Sequence, residues 1–244
     1  MFVAIEGIDG SGKGTVTKDL HTLLTSVGNQ VDDISFPRYG KTLGGKLVGR
    51  YLNGEFGEDT HPYLHGSLYS LDRLESKPYL EAAIQYNDFL LCDRYIPSNL
   101  CYSALKAEES ERDEVVKHFV DLEYGVMKMP VPDVIIMLDV PVKFAVKNIE
   151  KKAAREYTER SADIHEADTE YLGKVRSFYR TQLMKFHPPT RFEIIKCERN
   201  GHLISIEKIV EKVQAVLTQM LEGEKYGEES EETFVKATNA RVGD

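Results

Sequence analysis

The segment Gly7-Ile8-Asp9-Gly10-Ser11-Gly12-Lys13 has the spacing G-x-x-x-x-G-K. An apolar strand-like run precedes it and a helical pattern follows, the context in which such a loop wraps around phosphate. Glycines let the backbone curl until several N–H groups point inward at phosphate oxygens. The N-terminus of the next helix adds partial positive charge. Lys13 adds a full charge for the β- and γ-phosphates of a nucleoside triphosphate. An ordinary glycine turn at a strand–helix junction is the plain alternative; position and context together favour the cradle. The expected triphosphate-binding set is Gly7, Asp9, Gly10, Ser11, Gly12, Lys13, Gly14 and Thr15. Gly14 stands where the usual motif has Ser or Thr, and Thr15 comes next. The hydroxyl that commonly holds magnesium is therefore missing or displaced by one residue. Asp93 closes the apolar run Phe89-Leu90-Leu91-Cys92. A carboxylate at the carboxyl end of a parallel strand sits where such sheets bind ligands, and it can hold Mg²⁺ or its water shell. A surface aspartate opening a turn is the bland reading of the same residue.

Other residues could recognise an acceptor. Tyr69 offers a flat ring for stacking a base, a contact worth about 1–3 kcal/mol. Arg73 lies one helical turn on, on the same face, and can donate to a base carbonyl. Taken alone, Tyr69 would more often be a core aromatic. Arg94 offers a planar fork that matches a phosphate. Arg38 is either a second phosphate contact or a solvated surface charge. Phosphoryl transfer needs positive charge over the equatorial oxygens, and Ile8, Asp9, Gly10 and Ser11 supply none. The stretch from Lys151 to Arg160 is the evident reserve, and a solvated helix end is the alternative for any one of its residues.

These residues need a scaffold, and the hydrophobic pattern describes one. Strand-like runs at 2–6, 31–36, 88–92, 134–138 and 192–195 alternate with helical patterns. The helices fall at 15–27, 43–52, 63–85, 111–120, 144–152, 170–186 and 205–221. Such alternation predicts a three-layer α/β fold, with a parallel five-stranded sheet between helices. The chain has 244 residues and is 41% hydrophobic, enough for one sizeable domain. Residues 1–222 are expected to form that domain, with a lid at about 150–166. Residues 223–244 are polar and acid-rich and are expected to be a disordered tail. The net charge is −9, with no basic stripe for nucleic acid. The three cysteines show no CxxC spacing, which suits neutral thiols in a reducing cytoplasm. No apolar stretch approaches the roughly 20 residues that cross a bilayer, and no signal peptide opens the chain.

The motifs together resemble the thymidylate kinase family of P-loop nucleoside monophosphate kinases. The loop Gly7-Ile8-Asp9-Gly10 is similar to that family's loop, and such kinases tolerate G-K-G-T. Phe36-Pro37-Arg38-Tyr39-Gly40 resembles the segment after its second strand, particularly in the mycobacterial branch. Leu68 to Arg73 looks like its base-facing helix, and Asp93-Arg94-Tyr95 and Ser98-Asn99 to Tyr102 resemble its D-R-Y and S-N-x-x-Y elements. Pro132-Asp133 to Asp139-Val140-Pro141 is similar to its fourth strand. The resemblance runs over about residues 1–221 and is most specific in the first half.

It implies an ATP:dTMP phosphotransferase with Mg²⁺, a homodimer. The implied dTMP site is Asp9, Phe36, Tyr39, Leu52, Tyr69, Arg73, Arg94, Asn99, Tyr102, Asp163 and His165. Within it, Arg73 would meet thymine O4, Asn99 the base edge, and Tyr102 the sugar's 2′ position. Phe36 and Leu52 would wall the base, and Arg94 would hold the acceptor phosphate. Lys13, Arg94, Arg160 and Asp9 would be the catalytic residues. Asp9, Asp93 and Glu166 would serve the metal, Asp9 being either magnesium-linked or sugar-contacting. Arg160, Asp163 and Glu166 match lid positions of the mycobacterial type, but His165 stands where that family has tyrosine. Two rival readings remain: a kinase for another nucleotide or deoxynucleoside, and a P-loop regulatory module without transfer.

Overall fold

The structure, a computed structural model, describes residues 1–57, 60–155, 169–183 and 190–239, with 152–155 and 224–239 described by backbone only. Three apolar runs form its centre: β1 (Phe2–Glu6), β3 (Phe89–Asp93) and β4 (Val134–Asp139). They are buried along nearly their whole length, as parallel strands covered on both faces must be. β2 (Val31–Ser35) and β5 (Arg191–Lys196) are more exposed because they form the two edges. The order is β2-β3-β1-β4-β5, every pairing parallel. The loop after central β1 therefore opens in the middle of the carboxyl edge, where open α/β sheets bind ligands.

Helices cover both faces. α1 (Lys13–Ser26) packs on α8 (Ile206–Asn239). α3 (Pro62–Tyr86), α4 (Ile96–Ala104) and α5 (Arg112–Val120) pack together, and α7 (Thr169–Thr181) rests on α4. The expected three-layer architecture with a parallel five-stranded sheet is the observed one. α2 (Leu43–Leu52) begins at Thr42, whose side chain caps Gly45 N–H and whose hydroxyl donates to Asp72 of α3. The Glu75 carboxylate accepts from the N–H groups of Leu43 and Gly44, so α3 caps the start of α2. α6 (Val142–Arg155) returns from β4 beside the loop after β1.

Four features differ from the sequence reading. α4 carries no side-chain cap of its own, and Pro97 in its first turn is the local mark of its start. α5 runs on into a widened π turn, Asp121–Val126, with Met127 N–H bonding Leu122 O. A hairpin of β6 (Glu198–Arg199) and β7 (His202–Leu203) turns at Asn200-Gly201, both at positive φ, the geometry that N-G favours. α8 continues to Asn239, past residue 221 where the pattern closes it and into the stretch expected to be disordered. Its extension is rich in the good helix former Glu, at 222, 224, 228, 229, 231 and 232. Most of the expected lid, 156–166, lies outside the described residues. Cys92, Cys101 and Cys197 are free and buried. Among the described residues no helix is long and apolar enough to cross a membrane.

Candidate active site

Three positive-φ glycines shape the loop after β1: Gly7 at 150°, Gly10 at 73° and Gly12 at 85°. A side chain at Gly7 would place its Cβ 2.9 Å from Leu138 O, and one at Gly10 would run into the Ala145 carbonyl. The cradle is thus pressed against β4 and α6, and Asn148 Nδ2 donates to Gly10 O at 2.9 Å. Buried Lys13 donates through Nζ to Gly7 O at 3.1 Å and Ile8 O at 2.9 Å. Burial lowers its pKa to about 8, with Arg94 adding to the effect while Asp9, Asp93 and Glu6 oppose it. Ser11 is buried in the loop, whereas Thr15 is exposed on α1.

The residues proposed for magnesium separate on inspection. Asp93 Oδ1 is buried and has no hydrogen-bond partner among the described residues. Asp93 Oδ2 would stand 3.1 Å from a Cβ at Gly14, so the glycine leaves room beside this carboxylate. An unpartnered carboxylate oxygen beside the cradle fits a hard cation. Asp9 differs: its Oδ1 pairs with Arg94 Nη2, and its Oδ2 accepts from Tyr102 OH at 2.7 Å. Glu166 lies outside the described residues, as do Arg160, Asp163 and His165. Among the described residues no three His, Cys, Asp or Glu side chains gather as a metal cage.

Beside the cradle lies a cleft. Asp9, Phe36, Tyr39, Leu52, Tyr69, Arg73, Arg94, Asn99 and Tyr102 all line it, so every described member of the acceptor set meets there. The cleft has two ends. Around Arg94 the end is polar: this guanidinium pairs with Asp9, donates through Nη1 to Ser98 Oγ at 3.2 Å, and lies 5.6 Å from the centre of the Tyr102 ring. Arg94 has φ 66°, an uncommon conformation for a residue with a side chain. Its N–H bonds Ile5 O. Burial works against its charge, but Asp9, Tyr102, Tyr179 and Asp93 together more than offset this and hold its pKa well above the ordinary value. At the far end Tyr69 packs against His65, ring centres 4.9 Å apart, beside the cluster of Val48, Tyr51 and Leu68. Tyr39 stands exposed at the rim. Arg38 does not line the cleft: its Nη1 donates to Ser76 Oγ at 3.1 Å, and it lies over Tyr79.

Two carboxylates escaped the sequence reading. Glu6 closes β1 and is fully buried. It accepts from Tyr95 N at 2.8 Å, Ser98 N at 3.3 Å, Ser98 Oγ at 2.7 Å and Tyr179 OH at 2.9 Å. It therefore caps α4 from across the sheet and supports the serine that holds Arg94. Burial raises its pKa against these hydrogen bonds and the Arg94 charge. The available signal was a charge closing an otherwise apolar strand. The second is Glu123, in the π turn. It takes Arg73 side-on, Nε to Oε2 and Nη2 to Oε1, both at 2.6 Å. No local pattern marks it.

A family model described as thymidylate kinase matches residues 5–200. The chain belongs to the thymidylate kinase family. Among its relatives, the thymidylate kinase of Mycobacterium tuberculosis is 29% identical over 180 residues, 73% of this chain and 84% of that protein. The thymidylate kinase of Pelotomaculum thermopropionicum is 29% identical over 225 residues, 91% and 96% of the two chains. That of Thermosipho melanesiensis is 30% identical over 179 residues, 73% and 82%. The family is one of nucleoside monophosphate kinases, and the cradle and cleft of this chain are the two sites such an enzyme requires.

Proposed function

We propose that the cradle takes ATP, that the cleft takes dTMP, and that the chain transfers the γ-phosphoryl group between them to give dTDP and ADP. One observation carries this reading: a single cleft joins a phosphate-matching arginine, beside the cradle, to an aromatic and amide-lined end suited to a base. A regulatory module that only holds nucleotide needs no such second cleft.

In this reading an oxygen of the dTMP phosphate attacks the γ-phosphorus while the bond to the β-phosphate oxygen breaks. The acceptor phosphate is already ionised, so no base need remove a proton. Loop N–H groups and Lys13 hold the triphosphate, and Arg94 holds the acceptor phosphate in line. Asp9 keeps Arg94 oriented, and Tyr102 fixes Asp9. Asp93 would hold Mg²⁺, which when bound neutralises charge on the β- and γ-oxygens. Arg160, Asp163, His165 and Glu166 would close over the phosphates from the lid. The family resemblance further supports a homodimer working in the cytoplasm, and three buried, free thiols suit that compartment.

A coupled assay of ADP release, run with and without dTMP and against a panel of other nucleotides, tests the reading. Release dependent on dTMP is expected. ADP release with another acceptor alone would move the substrate, and release with none would remove the acceptor site. Light scattering after size exclusion tests the dimer.

A further inference from the structure

Glu123 does not line the cleft, yet it holds two residues that do. Its carboxylate is fully buried, with 0% side-chain exposure against 2% for Arg73. Oε2 takes Arg73 Nε, while Oε1 takes Arg73 Nη2 at 2.6 Å, Ser70 Oγ at 2.9 Å and Asn99 Nδ2 at 2.8 Å. The widened turn at the end of α5 carries the side chain into this position, and Met129 N–H bonds the Glu123 carbonyl at 2.9 Å.

This grip sets hydrogen-bond polarity. A carboxylate engaged by a guanidinium and two further donors can only accept. The amide of Asn99 must therefore turn its Nδ2 toward Glu123, where it also meets Gly66 O at 3.1 Å. Asn99 Oδ1 must lie on the opposite side, where it accepts from Ser103 Oγ at 3.0 Å and keeps a second lone pair. The side-on pairing of Arg73 uses Nε and Nη2 and leaves the Nη1 amino group, which can only donate. A base read by these groups must present an acceptor to Arg73 and a donor to Asn99. A 4-oxopyrimidine with its N3–H has that order, and a 4-aminopyrimidine has the reverse. The same pairing cancels the arginine's charge, so the base end does not compete with Arg94 for the phosphate.

We propose that Glu123 is a positioning residue for base selectivity, pinning Arg73 and Asn99 in the polarity that accepts 4-oxopyrimidine nucleotides and rejects 4-aminopyrimidine ones. The inference rests on the reading of this cleft as the dTMP site. Glu123→Gln keeps size and shape, and its amide can donate to Asn99 Oδ1, which frees the asparagine to turn over.

The test compares kcat/KM for dTMP and dCMP, and the melting temperature, in the wild type, Glu123→Gln and Glu123→Asp. The wild type should prefer dTMP strongly. In Glu123→Gln the dTMP/dCMP ratio should fall on the order of 10- to 100-fold, since a site loses discrimination when its buried polar partners can reorient. Glu123→Asp keeps the charge and should retain most of the ratio. KM for ATP should not change in either variant. A folded Glu123→Gln with an unchanged ratio overturns the proposal, as does equal loss with dTMP, dCMP and ATP, or failure of both variants to fold, which makes the pair purely structural. A wild type that does not use dTMP sinks the reading of the cleft instead.

Discussion

The cleft has an arginine–carboxylate pair at each end, and the two pairs are built differently. Arg73 and Glu123 are dry, with 2% and 0% of their side chains exposed. Arg94 and Asp9 expose 18% and 20%. A dry pair cannot exchange partners cheaply, because each charge has lost its water and depends on the other. It suits a task that does not change during turnover, such as presenting fixed donors to a base. A pair with partial access to water can loosen when a phosphate arrives and return when it leaves. The chain thus uses the same two side-chain chemistries for permanent recognition at one end and for reversible phosphate binding at the other.

The strongest way to break this comparison is Arg73→Ala. Removing one partner leaves Glu123 buried and uncompensated, which should lower unfolding stability by about 3–5 kcal/mol. Asp9→Asn, at the wetter pair, should cost clearly less, on the order of 1 kcal/mol, since water reaches both partners and screens them. Urea unfolding of both variants checks the contrast, and similar costs would erase it. Arg94→Ala should do the opposite of Arg73→Ala. It should reduce kcat/KM for dTMP on the order of 10²–10³-fold, the loss typical of one preorganised charge donor, with the melting temperature nearly unchanged. Steady-state rates and a thermal melt on one preparation suffice. A collapse in stability would make Arg94 a structural residue like Arg73.

A smaller effect should come from pH. Lys13 has its pKa lowered to about 8, mainly by burial, against 10.5 for an ordinary lysine. It is charged below that value and neutral above it, so kcat/KM for ATP should fall about tenfold per pH unit above 8. Bound triphosphate favours the charged form, so kcat should hold to higher pH. For stability the sign is reversed. Between pH 8 and 10.5 the unfolded chain binds a proton that the folded chain sheds, so this group favours folding as pH rises through that window. A kcat/KM profile flat to pH 10 would mean that Lys13 keeps its charge in the free enzyme and that burial does not lower its pKa. The smallest effect should come from truncation after Glu222. The segment removed carries few apolar groups to bury, so rates and melting temperature should barely move. A marked drop in either would mean that the end of α8 docks on the body.

The sequence by itself determined the layer architecture, the cradle and the roster of the cleft. The first two rest on local signals, and the roster rests largely on the resemblance to the thymidylate kinase family. The short β-branched run at Val134 to Leu138 reads as a buried strand, G-x-x-x-x-G-K is contiguous, and Tyr69 and Arg73 share a face because a helix turns once in about 3.6 residues. Tertiary structure alone decided which carboxylate meets which arginine. Glu6 reaches Tyr95 N across 89 residues of chain and thereby starts α4, a helix with no cap of its own. Glu123 reaches Arg73 across 50 residues, from a turn that no local pattern marks as π. Arg38 reads equally as a phosphate contact or a solvated charge until Ser76 and Tyr79 of α3 come alongside it. The reason is physical: a buried charge is tolerable only beside its partner, and that partner comes from another element, placed there by folding.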